Sequence, residues 1–271
     1  MSEIPESPGS RSARCPVLGV GVSPVDPEVA VRTIGAWVAG GHREYVCVSG
    51  VHGVMECQRD QALARIHNQA GMVVPDGMPL VWVSRIRGFR GVERVYGPDL
   101  MLRVCAAGLA RGWRHYLYGG AQGVPEKLRQ ALAARFPGIR IVGAWSPPFR
   151  PLSDREADGV ASDINRSEAD IVWVGLSTPK QERWMDRFRA RLDAPVLIGV
   201  GAAFDFHAGL KSQAPAWMQR SGMEWLYRLL SEPRRLGPRY LRNNPVFVSR
   251  IAWEEALRIA GRAPRLAGEG A

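Results

Sequence analysis

Between about residue 27 and residue 201 the chain alternates between two hydrophobic periods. Short, nearly unbroken apolar runs at 45–49, 72–74, 115–118, 140–144, 171–176 and 196–200 read as strands. Segments with helical spacing lie between them, at 27–39, 58–69, 78–87, 98–111, 124–135, 154–166 and 179–191. Continuous apolar strands belong to a sheet covered on both faces. Strand–helix alternation therefore predicts an α/β fold with a parallel, doubly wound sheet. Crossovers should be right-handed, and ligands should bind beyond the carboxyl ends of the strands.

Beyond about residue 210 the alternation stops. Residues 213–244 are rich in Arg, Trp, Leu and Tyr and read as amphipathic helices at 215–231 and 232–241, broken at Pro233. Trp217, Trp225, Leu226, Leu229 and Leu230 make the apolar face. The stretch 245–260 fits one more helix or a late strand. The polar start, MSEIPESPGSRSARCP, and the end, GRAPRLAGEGA, read as disordered. The predicted organisation is a tail at 1–20, a core at 21–210, a C-terminal helical appendage at 211–250 and a second tail at 251–271.

Composition narrows the class. With 46% hydrophobic residues in 271, the chain can bury a sizeable core. No run of 18 apolar residues predicts a membrane-spanning helix, and the first residues lack the apolar region of a signal peptide. Cys15, Cys47, Cys57 and Cys105 show neither CxxC nor zinc spacing, so reduced, buried thiols in a cytoplasmic protein are expected. The formal charge of +10 is unevenly placed: residues 211–250 carry eight basic and two acidic side chains. Such a balance suggests a polyanionic partner, whether nucleic acid, an anionic membrane surface or a phosphorylated substrate. Interleaving of the arginines with apolar residues, and the lack of a nucleic-acid motif, weigh against nucleic acid.

Five polar or glycine-rich loops follow predicted strands: Ser49-Gly50-Val51-His52-Gly53, Pro75-Asp76-Gly77, Gly119-Gly120-Ala121-Gln122-Gly123, Ser177-Thr178-Pro179-Lys180-Gln181-Glu182, and Gly201 to Phe206. Gly119 and Gly120 let backbone N–H groups and a helix N-terminus approach an anion, or else simply make a tight turn. Asp76 precedes the helix at 78–87; it caps that helix or serves as a general base. Gln181 lies in a helix-initiating stretch, and capping accounts for it poorly. Asp205 sits between two aromatics, as a carboxylate facing a base or ribose would. There is no Asp-x-Asp, HExxH, Walker loop or GxSxG. An enzyme that released a diphosphate without a metal would need arginines to neutralise it.

In order along the chain, VPDGMPLVW, ERVYGPDL, LYGGAQGVPEKL, GLSTPKQERWM, IGVGAAFDFHAG, APAWMQRSGMEWLYRLLSEPRRLGPRY and NNPVF resemble the WecG/TagA/CpsF glycosyltransferases, glycosyltransferase family 26. The likeness spans about residues 25–248. It implies a Rossmann-like core whose C-terminal appendage completes the active site and docks on the membrane. It implies an inverting, metal-independent transferase with no cofactor, acting on the inner face of the plasma membrane. Such an enzyme moves a sugar, such as N-acetylmannosamine, from a UDP-sugar to a polyprenyl-diphosphate-linked acceptor in cell-surface polysaccharide synthesis. By position the resemblance assigns the base to Asp76, a basic partner to Arg94, the PKQE glutamine to Gln181 and a uridine-contacting acid to Asp205. It assigns diphosphate-binding arginines to Arg228, Arg235 and Arg239. Where the family often has Thr-Pro-Asn after the first core strand, this chain has Ser49 and then His52, with Ser49 replacing the threonine hydroxyl. Homo-oligomers are compatible with the resemblance. The competing expectations are a silent UDP-binding scaffold of a polysaccharide complex and a basic nucleic-acid-binding module.

Overall fold

The structure, a computed structural model, describes residues 13–215, 217–218 and 221–260, without the Arg235 side chain. It opens with a hairpin, β1 (Cys15–Val17) and β2 (Val20–Val22). Part of the predicted tail at 1–20 is thus structured; residues 1–12 lie outside the described residues. Leu18 and Gly19 both have positive φ, 47° and 75°, the signature of a two-residue hairpin turn whose twist matches its strands. Cys15, Val17, Val20 and Val22 are buried beneath it. Eight residues with so short a turn hold too little pattern to announce a hairpin.

The main sheet has β3 (Glu44–Ser49), β4 (Met72–Pro75), β5 (Arg114–Gly119), β6 (Arg140–Trp145), β7 (Ile171–Gly175) and β8 (Val196–Gly199). The order is β4-β3-β8-β7-β5-β6, and every pair is parallel. Alternate residues feed two cores. Tyr45, Cys47, Val172, Val174 and Leu197 face one layer; Val46, Val48, Leu117, Trp173 and Ile198 face the other. Both layers are apolar, which is why these strands read as unbroken runs. The predicted α/β, Rossmann-like fold is present, and all four cysteines are buried and free.

The first layer is covered by α2 (Val51–Cys57), α3 (Gln61–Gln69), α4 (Met78–Ile86), α7 (Asp154–Arg166) and α8 (Lys180–Arg189). The second is covered by α1 (Pro27–Gly40), α5 (Gly97–Leu109), α6 (Val124–Arg135) and the short α9 (Ala203–His207). The helix predicted at 58–69 is present as α3 but starts at Gln61, because Asp60 accepts from the Ala62 and Leu63 amides and caps it; α2 is an additional helix where a loop was expected. The sheet changes direction between β5, whose chain leads outward to β6, and β7, whose chain leads inward to β8. There a Cβ on Gly119 would lie 2.7 Å from the Gly175 backbone, at a φ of +129°. Gly119 is therefore explained by strand packing.

The appendage departs from expectation at both ends. Residues 217–218 are helical, and the helix predicted at 215–231 is interrupted at Gly222, whose φ is +76°, before α10 (Glu224–Ser231). The next, α11 (Pro233–Ile259), runs 27 residues through Pro238 and Pro245. The predicted break near 241 and the tail beginning at 251 are absent up to residue 260; 261–271 lie outside the described residues. Each proline removes one helical hydrogen bond, but α11 is held along its length by the core. Asn243 bonds Arg59 at 2.6 Å, Arg250 bonds Gln58 at 2.5 Å, and Arg87 pairs with Glu254 and Glu255 at 2.8 and 2.5 Å.

Candidate active site

Asp76 ends β4 with its N–H donated to the Ser49 carbonyl at 2.9 Å. It does not cap the helix that follows it: the N-cap of α4 is Gly77. Its Oδ1 instead accepts the Gly97 N–H at 3.0 Å, in the first turn of α5. Helix-end amides favour the charged carboxylate, yet the net effect runs the other way. Burial raises the Asp76 pKa above the ordinary carboxylate value and Glu224 adds to this, against Arg94, the Gly97 amide and Arg228. A partly exposed carboxyl of raised basicity at a strand end is suited to accepting a proton.

Arg94 lies over the Tyr96 ring, 4.2 Å from its centroid, and donates through Nε to the Asp76 carbonyl at 2.5 Å. Its Nη2 pairs with Glu224 of α10. This links the core to the appendage beside Asp76.

Between the ends of β3 and β4, α4 and the appendage lies a cavity of about 610 Å³. Asp76, Arg94, His52 and Thr178 make its core-side polar lining. Glu224, Arg228, Arg239, Tyr240 and Asn243 approach from α10 and α11. The remaining wall is apolar: Trp82 and Ile86 of α4 face Phe247, Val248 and Ile251 of α11. Arg228 also borders a second pocket of about 250 Å³ with Phe206, Lys211 and Tyr227. Burial opposes the Arg228 charge, but Tyr240, Glu224, Tyr96 and Asp76 together leave its pKa raised. It is a permanent cation between two cavities.

Of the predicted site residues, Asp76, Arg94, His52, Arg228 and Arg239 meet at the cavity. The Arg235 side chain lies outside the described residues. Five others are placed differently. Ser49 is 1% exposed and points below the cavity floor, with its Oγ 2.8 Å from His67 Nε2. His67 Nδ1 donates to the Leu63 carbonyl at 3.0 Å, so Nε2 is the acceptor and Ser49 the donor. Gln181 is buried, with Nε2 donating to Glu182 at 3.1 Å, and it does not line the cavity. Gly119 and Gly120 turn the chain from β5 toward α6 against β7, where the Gly120 N–H donates to the Gly175 carbonyl at 2.9 Å. Asp205, in α9, pairs with Lys211 at 3.1 Å beside the smaller pocket.

His52 has a specific reason to be neutral. Burial, then the Arg239 charge, lowers its pKa to about 4, against a hydrogen bond to the Thr178 backbone. Its Nδ1 lies 3.2 Å from the Asn243 amide nitrogen. No asparagine follows β3, but one reaches the same corner from α11. Sequence reasoning missed Asn243, Tyr240 and Glu224. The available signal was Glu224, a lone acid four residues before Arg228 in an apolar, arginine-rich helix. Among the described residues no cluster of three His, Cys, Asp or Glu side chains has metal-binding geometry.

Residues 15–261 match the glycosyl transferase WecG/TagA/CpsF family. Three relatives are named N-acetylglucosaminyldiphosphoundecaprenol N-acetyl-beta-D-mannosaminyltransferase. The Bacillus subtilis (strain 168) protein is 28% identical over 80% of this chain and 74% of its own length. That of Bacillus spizizenii is 31% identical over 66% of this chain and 68% of the relative. That of Staphylococcus aureus (strain MW2) is 26% identical over 90% of this chain and 94% of the relative.

Proposed function

The chain belongs to the WecG/TagA/CpsF glycosyltransferase family, and on that premise we propose that it moves N-acetylmannosamine from a UDP-sugar to a polyprenyl-diphosphate-linked N-acetylglucosamine. The acceptor and the sugar follow the relatives' names. The observation that carries the reading is the cavity itself, where Asp76 faces appendage arginines and an apolar wall suited to a prenyl chain.

In the proposed mechanism Asp76 takes the proton of an acceptor hydroxyl. That oxygen attacks the anomeric carbon from the side opposite the diphosphate, and the configuration inverts. A retaining route would need a carboxylate nucleophile. The other carboxylate lining the cavity, Glu224, is paired with Arg94, which supports the single step. Arg228 and Arg239 neutralise the departing UDP without a metal. The smaller pocket on the far side of Arg228, near Asp205, suits the nucleoside end. Exposed Trp82, Ile86, Leu241, Val248 and Trp253 around α4 and α11 support peripheral docking at the inner face of the plasma membrane. No described helix is long and apolar enough to cross a membrane.

The test is transfer from UDP-N-acetylmannosamine to a short-chain lipid diphosphate N-acetylglucosamine, with and without EDTA. Asp76→Asn should lower kcat by about 10²–10⁴-fold, and Arg228→Ala by about 10²–10³-fold. EDTA should change neither rate nor yield. Wild-type turnover in Asp76→Asn would return that carboxyl to its structural bond with Gly97.

A further inference from the structure

Glu224 is a buried acid, 6% exposed, in a segment dominated by arginine. It opens α10 without capping it; the N-cap there is Met223. Its carboxylate crosses to the core and meets Arg94, the residue that also holds the Asp76 carbonyl. Arg94 therefore serves two acids from two parts of the chain.

The charged and titratable groups around Asp76 come from each element packed against it. Arg94 and Tyr96 come from the loop between α4 and α5, and Glu224 and Arg228 come from successive turns of α10. With Arg94 and Arg228 alone, Asp76 would face two cations. A carboxylate so placed stays ionised and is a poor base. Glu224 supplies the opposing charge from the same helix that brings Arg228, so docked α10 adds no net cation beside Asp76.

We infer that Glu224 is a positioning residue of the transfer reaction: the appendage carboxylate shares Arg94, fixes its guanidinium at the Asp76 backbone, and keeps it from neutralising Asp76. This rests on Asp76 being the base. Docking of the appendage then does two things at once. It closes the cavity, and it brings Arg228 to the site together with the charge that offsets it, so that burial still raises the proton affinity of the Asp76 carboxyl.

Glu224→Gln separates charge from attachment, because the amide keeps a hydrogen bond to Arg94. The Asp76 carboxyl is titrated directly in the full chain by carbon-13 NMR, its resonance assigned by loss in Asp76→Asn. In Glu224→Gln the midpoint should fall by about 0.5–1.5 pH units, the range for removing one nearby charge at a partly buried site. The acid limb of kcat/KM should move with it, and kcat should drop several-fold with the donor KM within about twofold. An unmoved or raised midpoint overturns the inference. So does a raised KM with faster amide exchange in α11 and no change in midpoint, which would make Glu224 a simple pin. If wild-type protein fails to transfer sugar, the proposed function fails, while the titration still decides the role of Glu224.

Discussion

Asp76 shows how much one residue's surroundings matter beyond its neighbours in sequence. Its position before a helix left cap and base equally open; the structure makes it an anchor for a different helix, through Gly97. The sign of its pKa shift has a consequence for stability. The folded state binds the Asp76 proton more tightly than the unfolded chain does, so stability falls as pH rises through the ordinary carboxylate range. Asn can still accept from Gly97 and carries no charge. Asp76→Asn should therefore raise Tm at pH 7 while it lowers turnover, and the Tm difference should close below about pH 4. A lower Tm at pH 7 would mean that the bond to Gly97, not the buried charge, dominates. Ser49 illustrates the opposite outcome. It was legible as a strand-end hydroxyl, but strand alternation aims it at His67 and leaves the cavity to Val48 and Gly50. A one-residue difference in direction is invisible in composition and decisive for contact.

At the scale of elements, the strands were legible because both faces of the sheet are apolar, and the appendage was not, because prolines read as breakers. What sustains α11 is tertiary. The Arg87 side chain is fully buried against Glu254 and Glu255 and also donates to the Pro16 carbonyl. Arg87→Met would strip the buried cation from both carboxylates, leaving Glu254 only the Leu18 amide and Glu255 only the longer pair with Arg258, a loss on the order of 3 kcal/mol. Its expected signature is faster amide exchange in the last turns of α11, with the β3–β8 core unaffected. A second pin is pH-sensitive. The His52 folded pKa of about 4 lies below its ordinary 6.5. The native state then binds fewer protons in that window, and the stability His52 contributes is lost as pH falls through it. Protonation would also make Nδ1 a donor facing the Asn243 NH2, itself a donor, while the Asn243 oxygen is already held by Arg59. Amide protection of α11 around residue 243 should fall between pH 6.5 and 4, and His52→Gln should flatten that dependence. Unchanged protection in wild type across this range would remove His52 from the docking contacts.

For the molecule as a whole, the two ligand-bearing parts face one another across the cavity, and its apolar wall continues onto the exposed side chains of α4 and α11. Vesicles containing anionic lipid should float the wild-type chain. Trp82→Ser with Ile86→Ser should reduce recovery several-fold without changing turnover of a soluble acceptor that lacks a long chain. Equal flotation of the two would assign membrane contact to another surface. The hairpin at residues 15–22 carries a consequence of a different kind. Its turn amide at Leu18 donates to Glu254, joining positions 236 residues apart. Closing so long a loop costs on the order of 5 kcal/mol of chain entropy, which only a preformed sheet can offset. Refolding should thus run in two stages, with core tryptophan fluorescence recovering first and catalytic competence last, when the ends of the chain finally meet.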